Sequence, residues 1–177
     1  SGGGGNTYME VTYEGYAPHG IAVFIECTTD NINRTVAEIR SIFNKHGGEL
    51  GKNGSLEFLF EKKGVFIIAE DQVTVEADLF EMELIDFGLE ELELNGGHFN
   101  ILSDFDQFGV IQEKLVSMNI EIKSAETQRI PHETKSLTAS EGIKVLSIIE
   151  KFEENDDVQQ VFHNLNITSE MLAELNK

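Results

Sequence analysis

The sequence predicts an α/β (α+β) fold of two ferredoxin-like-type α/β domains, the second inserted into a discontinuous first. Three observations carry that expectation. Apolar β-branched runs alternate with amphipathic helical stretches. From 65 to 130 the elements follow the order β-α-β-β-α-β, that of a ferredoxin-like unit. The segments after Pro131 hold too little apolar surface for a core of their own, so they must return to the first strands and helix. The implied organisation is a linker over 1–6, a discontinuous domain over 7–63 plus 131–177, and the insertion over 64–130.

"YMEVTYE" alternates as a strand does, and "GIAVFIECTT" is a largely apolar run of the kind found in buried central strands. Gly15, Pro18 and Gly20 punctuate the connection between them. In the helix that follows, Thr35 and Glu38 make a capping-box pattern, Val36, Ile39, Ile42 and Phe43 share a face, and "HGG" at 46–48 is the stop. "SLEFLFEKKGVFIIAE" reads as two strands about a turn at Lys63 and Gly64. A helix over 75–87 offers Leu79, Met82 and Ile85 to a core, and "LELN" and "HFNILS" are strands flanking Gly96 and Gly97. Asp104 caps a helix running to Met118, and "IEIKSAETQRI" is the last strand of the unit. Beyond Pro131 a helix capped by Ser140 turns Ile143, Leu146, Ile148 and Ile149 inward; "DVQQVFHNLNI" is strand-like, and Thr168 begins a short final helix.

Thirty-two acidic side chains against thirteen basic give a formal net charge of −19. The charge is uneven: −4 over 1–30, +2 over 31–63, −13 over 64–128 and −4 over 129–177. One window is locally positive, and the acidic block repels a polyanion. Hydrophobic content of 40% and charged content of 25% are those of a soluble globular protein. No apolar run nears the ~20 residues that span a bilayer, and no secretory pattern opens the chain, so a cytoplasmic protein without a membrane partner is expected. Cys27 is the only cysteine, which excludes an internal disulfide and a CxxC pair; in its apolar run it reads as a buried strand thiol. "SGGGG" reads as a flexible linker, so the chain is expected to be a fragment.

Catalytic patterns are missing. The glycines at 2–5 lack the GK[ST] of a phosphate loop, and "GYAPHG" is a turn, not a dinucleotide fingerprint. His19, His46, His98, His132 and His163 have no ligand spacing, so no metal and no cofactor is expected. No GxSxG elbow occurs, and carboxylates are too plentiful for any pair to be informative. The basic window is the remaining feature. Arg40 borders the apolar face of its helix and Lys45 lies about 140° away at 100° per residue, so the two form no single stripe. In the loop before them Asn31, Asn33 and Arg34 can donate to phosphate or sugar oxygens. Tyr13 and Tyr16, in or near a turn, can stack on a base.

The stretch "YEGYAPHGIAVFIECTTDNINRTVAEIRSIFNKHGGELGKNGSLEFLFEKKG" resembles the signature region of the YebC/PmpR family: an EGY-x-P turn, a TDN-x-NRT loop, a KHGG helix end and a GS-x-x-F-x-F strand. "DDVQQVFHNL" is similar to the family's C-terminal segment. The resemblance implies a YebC-like fold, a basic helical N-terminal domain absent from this chain, and a discontinuous α/β domain with a ferredoxin-like insertion. It also implies one of two roles. Family members are described as DNA-binding transcriptional regulators; others resemble translation factors that help ribosomes through proline-rich stretches, and a mitochondrial relative activates synthesis of cytochrome c oxidase subunit I. The implied contact residues are Tyr16, Asn31, Asn33, Arg34, Arg40, Lys45 and Lys52. Ala17 and His19 stand where the family commonly has glycine, which implies a less compact turn.

The expected function is therefore a non-enzymatic, nucleic-acid-associated regulator of gene expression, with ribosome, rRNA or tRNA preferred over duplex DNA as partner. A body at −19 with a window of only +2 is ill suited to tracking a duplex. An acidic adaptor that docks a basic protein through the 64–128 block is the alternative of a different class.

Overall fold

The computed structural model describes residues 7–177; the glycine run and the linker expected over 1–6 lie outside the described residues. In chain order the elements are β1 (Met9–Ala17), β2 (Ile21–Thr29), α1 (Ile32–Lys45), β3 (Glu49–Leu50), β4 (Phe60–Ala69), α2 (Ala77–Ile85), β5 (Leu89–Asn95), β6 (His98–Asp104), α3 (Phe108–Ser117), β7 (Ile122–Pro131), α4 (Ala139–Glu153), β8 (Val158–His163) and α5 (Ser169–Leu175). They form two compact units. One comprises the described residues up to Glu61 with Ile130–Lys177, the other Lys62–Arg129.

The first unit is built on an antiparallel sheet of order β3-β1-β2-β8. Side chains alternate across a strand, so β2 sends Ile21, Val23, Ile25 and Cys27 to one face and Ala22 and Phe24 to the other. The first set joins Ile39 and Phe43 of α1 and Val145, Ile148, Ile149 and Phe152 of α4 in the main core. The second set is closed over by Leu56 and Phe60. Burial on both faces explains why β2 is apolar almost throughout. It also makes Cys27 inert: burial, aided by the Asp157 charge, pushes its thiol up to about 12.

Several local expectations change. Asn31, not Thr35, caps α1, accepting the Arg34 N–H at 3.1 Å, because Thr35 lies a turn inside the helix and is buried. Thr138, not Ser140, caps α4 in a complete capping box with Glu141; Val145 and Phe152 fill its inner face while Ile143 and Leu146 are only half-buried. Gly15 lies within β1, not in a turn: a Cβ there would meet the Phe43 ring at 2.7 Å and the Glu49 carbonyl at 2.5 Å, so glycine lets α1 and β3 close on the strand. The turn itself is a three-residue 3-10 segment, Pro18–Gly20, in which His19 takes the left-handed φ of 65° that glycine would adopt without strain. Lys63 and Gly64 sit in the middle of β4, opposite Asp104 and Ser103, so "SLEFLFEKKGVFIIAE" gives one strand preceded by a 3-10 turn, Glu57–Leu59.

The second unit has the chain order β-α-β-β-α-β and the sheet order β5-β6-β4-β7. Its core joins Phe66 and Ile68 of β4, Phe99 and Ile101 of β6, Ile111 and Leu115 of α3, and Phe80 and Leu84 of α2. Leu79, Met82 and Ile85 are exposed instead, at 52%, 66% and 54%. Apolar residues lie nearly all round α2, so spacing offers two faces; the larger Phe80, tilted against Phe99 at 5.5 Å, takes the inner one. Among the described residues no helix is long and apolar enough to cross a membrane.

Two substitutions test this packing in urea or thermal unfolding. Gly15→Ala is expected to destabilise by about 1–3 kcal/mol, because backbone and ring must both give way. Tyr13→Phe is expected to stabilise by about 1 kcal/mol, since the buried Tyr13 hydroxyl has no hydrogen-bond partner among the described residues.

Candidate nucleic-acid interface

The TDNINRT segment folds inward on Asp157, which lies just before β8. The Thr35 hydroxyl is 2.8 Å from Asp157 Oδ2 and 2.7 Å from the Thr29 hydroxyl, and both threonines are fully buried. Arg34 Nη2 donates to both Asp157 oxygens, at 3.1 and 3.0 Å, and to Asp30 Oδ1 at 3.0 Å. The Thr28 N–H closes on the Asp157 carbonyl at 2.9 Å. Burial pushes the Asp157 carboxyl up; hydrogen bonds from Thr35 and Arg34, with the Arg34 charge, more than offset this and hold it below the usual carboxylate range. One carboxylate thus ties β2, the first turn of α1 and β8 together.

This changes how the basic window reads. Arg34 is 42% exposed, but its charge is met by Asp30 and Asp157, and Glu38, Glu154 and Asp156 line the same depression. Lys62 lies over the Phe105 ring at 4.3 Å, and the buried Lys63 pairs with Glu90 at 2.7 Å. Arg40, Lys45 and Lys52 are exposed, and their side chains make no hydrogen bond or ion pair among the described residues. Arg40 and Lys45 flank one shallow depression of about 450 Å³ on α1, floored by Ala37, Ser41 and Asn44. Two cations that share no stripe therefore still face one surface.

The remaining candidates are dispersed. Asn31 uses its side-chain oxygen as the α1 cap, and Asn33 is exposed beside it. These sit at the opposite end of α1 from Lys45, about 20 Å away at 1.5 Å per residue. Tyr16 is 43% exposed. By strand alternation it shares the sheet face of Glu14 and Phe24, away from α1, whereas Tyr13 is buried in the main core. Lys52 stands in the exposed loop before the Glu57–Leu59 turn.

Sequence reasoning missed two residues. Asp157 was visible only as part of "DDVQQVFHNL", with nothing in its spacing to join it to Thr35. Phe58, the first phenylalanine of GS-x-x-F-x-F, reads as a strand partner of Phe60, yet it is 71% exposed where Phe60 is 7%.

The sequence model of the TACO1/YebC second and third domain matches residues 8–165. A "Probable transcriptional regulatory protein" of Porphyromonas gingivalis is 50% identical over 159 residues, covering 89% of this chain and 65% of its own length. One of the same description from Syntrophus aciditrophicus is 41% identical over 174 residues, covering 98% and 69%. The chain spans about two thirds of the length of such relatives. A crystallised conserved hypothetical protein of Aquifex aeolicus superposes with a TM-score of 0.81 at 35% identity, over 96% of this chain and 69% of that one.

Asp157→Ala is expected to destabilise by about 1–3 kcal/mol in chemical unfolding, since the buried threonine hydroxyls lose their anionic partner. Arg34→Ala should cost less, its side chain being half in water. The lowered carboxyl contributes stability above its ordinary value of 3.8 that is lost as pH falls through the folded value. The acid limb of unfolding should therefore be steeper in the wild type than in Asp157→Asn.

Proposed function

The chain belongs to the TACO1/YebC family, and from that premise we propose that it is a non-enzymatic, nucleic-acid-associated regulator of gene expression that works on the ribosome, easing elongation at stall-prone stretches. The observation that supports this most is the pair of uncompensated cations, Arg40 and Lys45, flanking one depression on α1 in a chain of net charge −19. Duplex recognition needs many phosphates neutralised together, and affinity scales with their number. Two or three free cations suit a few contacts to folded RNA, where shape and 2′-hydroxyls carry much of the recognition. The acidic remainder limits adherence to nucleic acid at large.

The second reading, a DNA-binding transcriptional regulator, is favoured by the description that the relatives carry. On that reading the further length of the relatives would supply the positive charge this chain lacks.

Co-sedimentation with ribosomes over a salt gradient, with duplex DNA as competitor, separates the two. Ribosome binding is expected to survive the competitor and to weaken in Arg40→Ala/Lys45→Ala, with the salt slope falling by about 1.4 for two lost phosphate contacts and the unfolding midpoint unchanged. Displacement by duplex DNA, with sequence-selective binding, would favour the second reading.

A further inference from the structure

Phe58 has the highest exposure of any large apolar side chain among the described residues, 71%, and it is not in a frayed segment. The turn that carries it, Glu57–Leu59, is clamped on both sides. Leu56 and Phe60 are buried under the sheet, at 2% and 7% exposure. The Glu14 carboxylate, itself 1% exposed, accepts the N–H groups of Gly54 and Leu56. The Leu59 N–H bonds to Leu56, and the Leu59 carbonyl accepts the His132 N–H at 3.0 Å. A buried carboxylate, two apolar anchors and a bond from the loop after β7 thus fix the backbone while the ring stands in water.

The surroundings point to what the ring meets. Phe58 borders a depression of about 380 Å³ whose rim includes His132, Glu133, Lys135 and Asn164. Asn164 is oriented by the Ala22 N–H, which donates to its Oδ1 at 2.9 Å and leaves the amide donors available. Lys135 Nζ donates to the His19 carbonyl at 2.7 Å, which holds the ammonium at the rim with further donors to offer. In the adjoining sheet Tyr16 pairs with Ala22, the residue whose N–H Asn164 accepts from the other side, so a second exposed aromatic stands about 10 Å from Asn164, two strand spacings.

An exposed ring on an anchored backbone, beside an oriented amide and a cation that shares the rim with Glu133, has the parts of a base-stacking platform: a π-face for the base, N–H donors for its edge, an ammonium for its phosphate. The geometry points to Phe58 as a stacking site for an unstacked nucleobase of a single-stranded nucleic acid, with Asn164 on the base edge and Lys135 on the backbone. This rests on the ribosome-associated reading and gives it a second contact, on the sheet face opposite α1.

The chain contains no tryptophan, so Phe58→Trp places a single reporter at the site. Its emission is expected to be that of a solvated indole and to be quenched by a short single-stranded RNA of mixed sequence, and not by the same RNA in a duplex. Phe58→Ala should bind the single strand roughly 10- to 100-fold more weakly than the wild type, with unchanged unfolding. A single-stranded DNA of the same sequence separates the sources: equal quenching makes the base alone the ligand, and a preference for RNA adds the 2′-hydroxyl. Unaltered emission with RNA present, or Phe58→Ala binding as the wild type does, overturns the site. So does a loss of ribosome binding in Phe58→Ala with emission blind to RNA, which would make the ring a protein contact. Ribosome binding that depends on Arg40 and Lys45 but not on Phe58 would overturn this inference alone.

Discussion

The Asp157 carboxylate is the constraint on which the first unit rests. It is the point at which β2, the start of α1 and the approach to β8 are held together, by two buried threonines and an arginine, with the Thr28 N–H closing on the main-chain carbonyl of the same residue. A carboxylate drawn out of water is tolerated only where such partners surround it, and without it Thr35 and Arg34 keep their other bonds, to Thr29, the Asn31 carbonyl and Asp30, but lose the anion between them. Segments more than 120 residues apart in the chain are bound into one sheet and helix layer by this arrangement. Thr29, Arg34 and Thr35 belong to it, so much of the segment most suggestive of a contact surface has an internal role.

What can meet a partner is then a smaller set of groups on two sides of the sheet. α1 and α4 cover one face, and the outer surface of α1 carries Arg40 and Lys45. Leu56 and Phe60 cover the other, and the turn between them displays Phe58. Contacts on opposite sides suit a small body enclosed in a cavity better than one laid against a duplex, which presents a single surface at a time. On the ribosome-associated proposal such enclosure is available, and the overall negative charge would leave binding to depend on a few placed groups.

Much of the architecture was legible in the sequence because periodicity and capping chemistry are local. The apolar run at β2, the α1 face of Ile39 and Phe43, the glycine-rich hairpin and the helix begun by Thr168 all follow from such rules. Failures came where a distant residue decided. Thr35 reads as a cap because Asp157, which draws its hydroxyl inward, is invisible to spacing. "SLEFLF" reads as strand because alternation fits; the buried Glu14, some forty residues earlier, takes the N–H groups of Gly54 and Leu56 and turns the chain at its start. In α2 two apolar faces compete, and the core of β4, β6 and α3, Phe99 among it, selects the larger Phe80 over Met82. Of the candidate site, spacing alone names Arg40, Lys45 and Tyr16, which are exposed, whereas the pairing of Arg34 and the display of Phe58 required the fold.

Side-chain hydroxyl-radical footprinting of the chain, free and ribosome-bound, tests the account most directly, because it reports individual solvent-exposed side chains on every surface at once. Protection is expected at Phe58 and Tyr16 and along the outer face of α1, with Asn31 to Arg34 unchanged. Protection concentrated at Asn31 to Arg34, or at the exposed Leu79 and Met82 of the acidic unit with Phe58 still reactive, would contradict it.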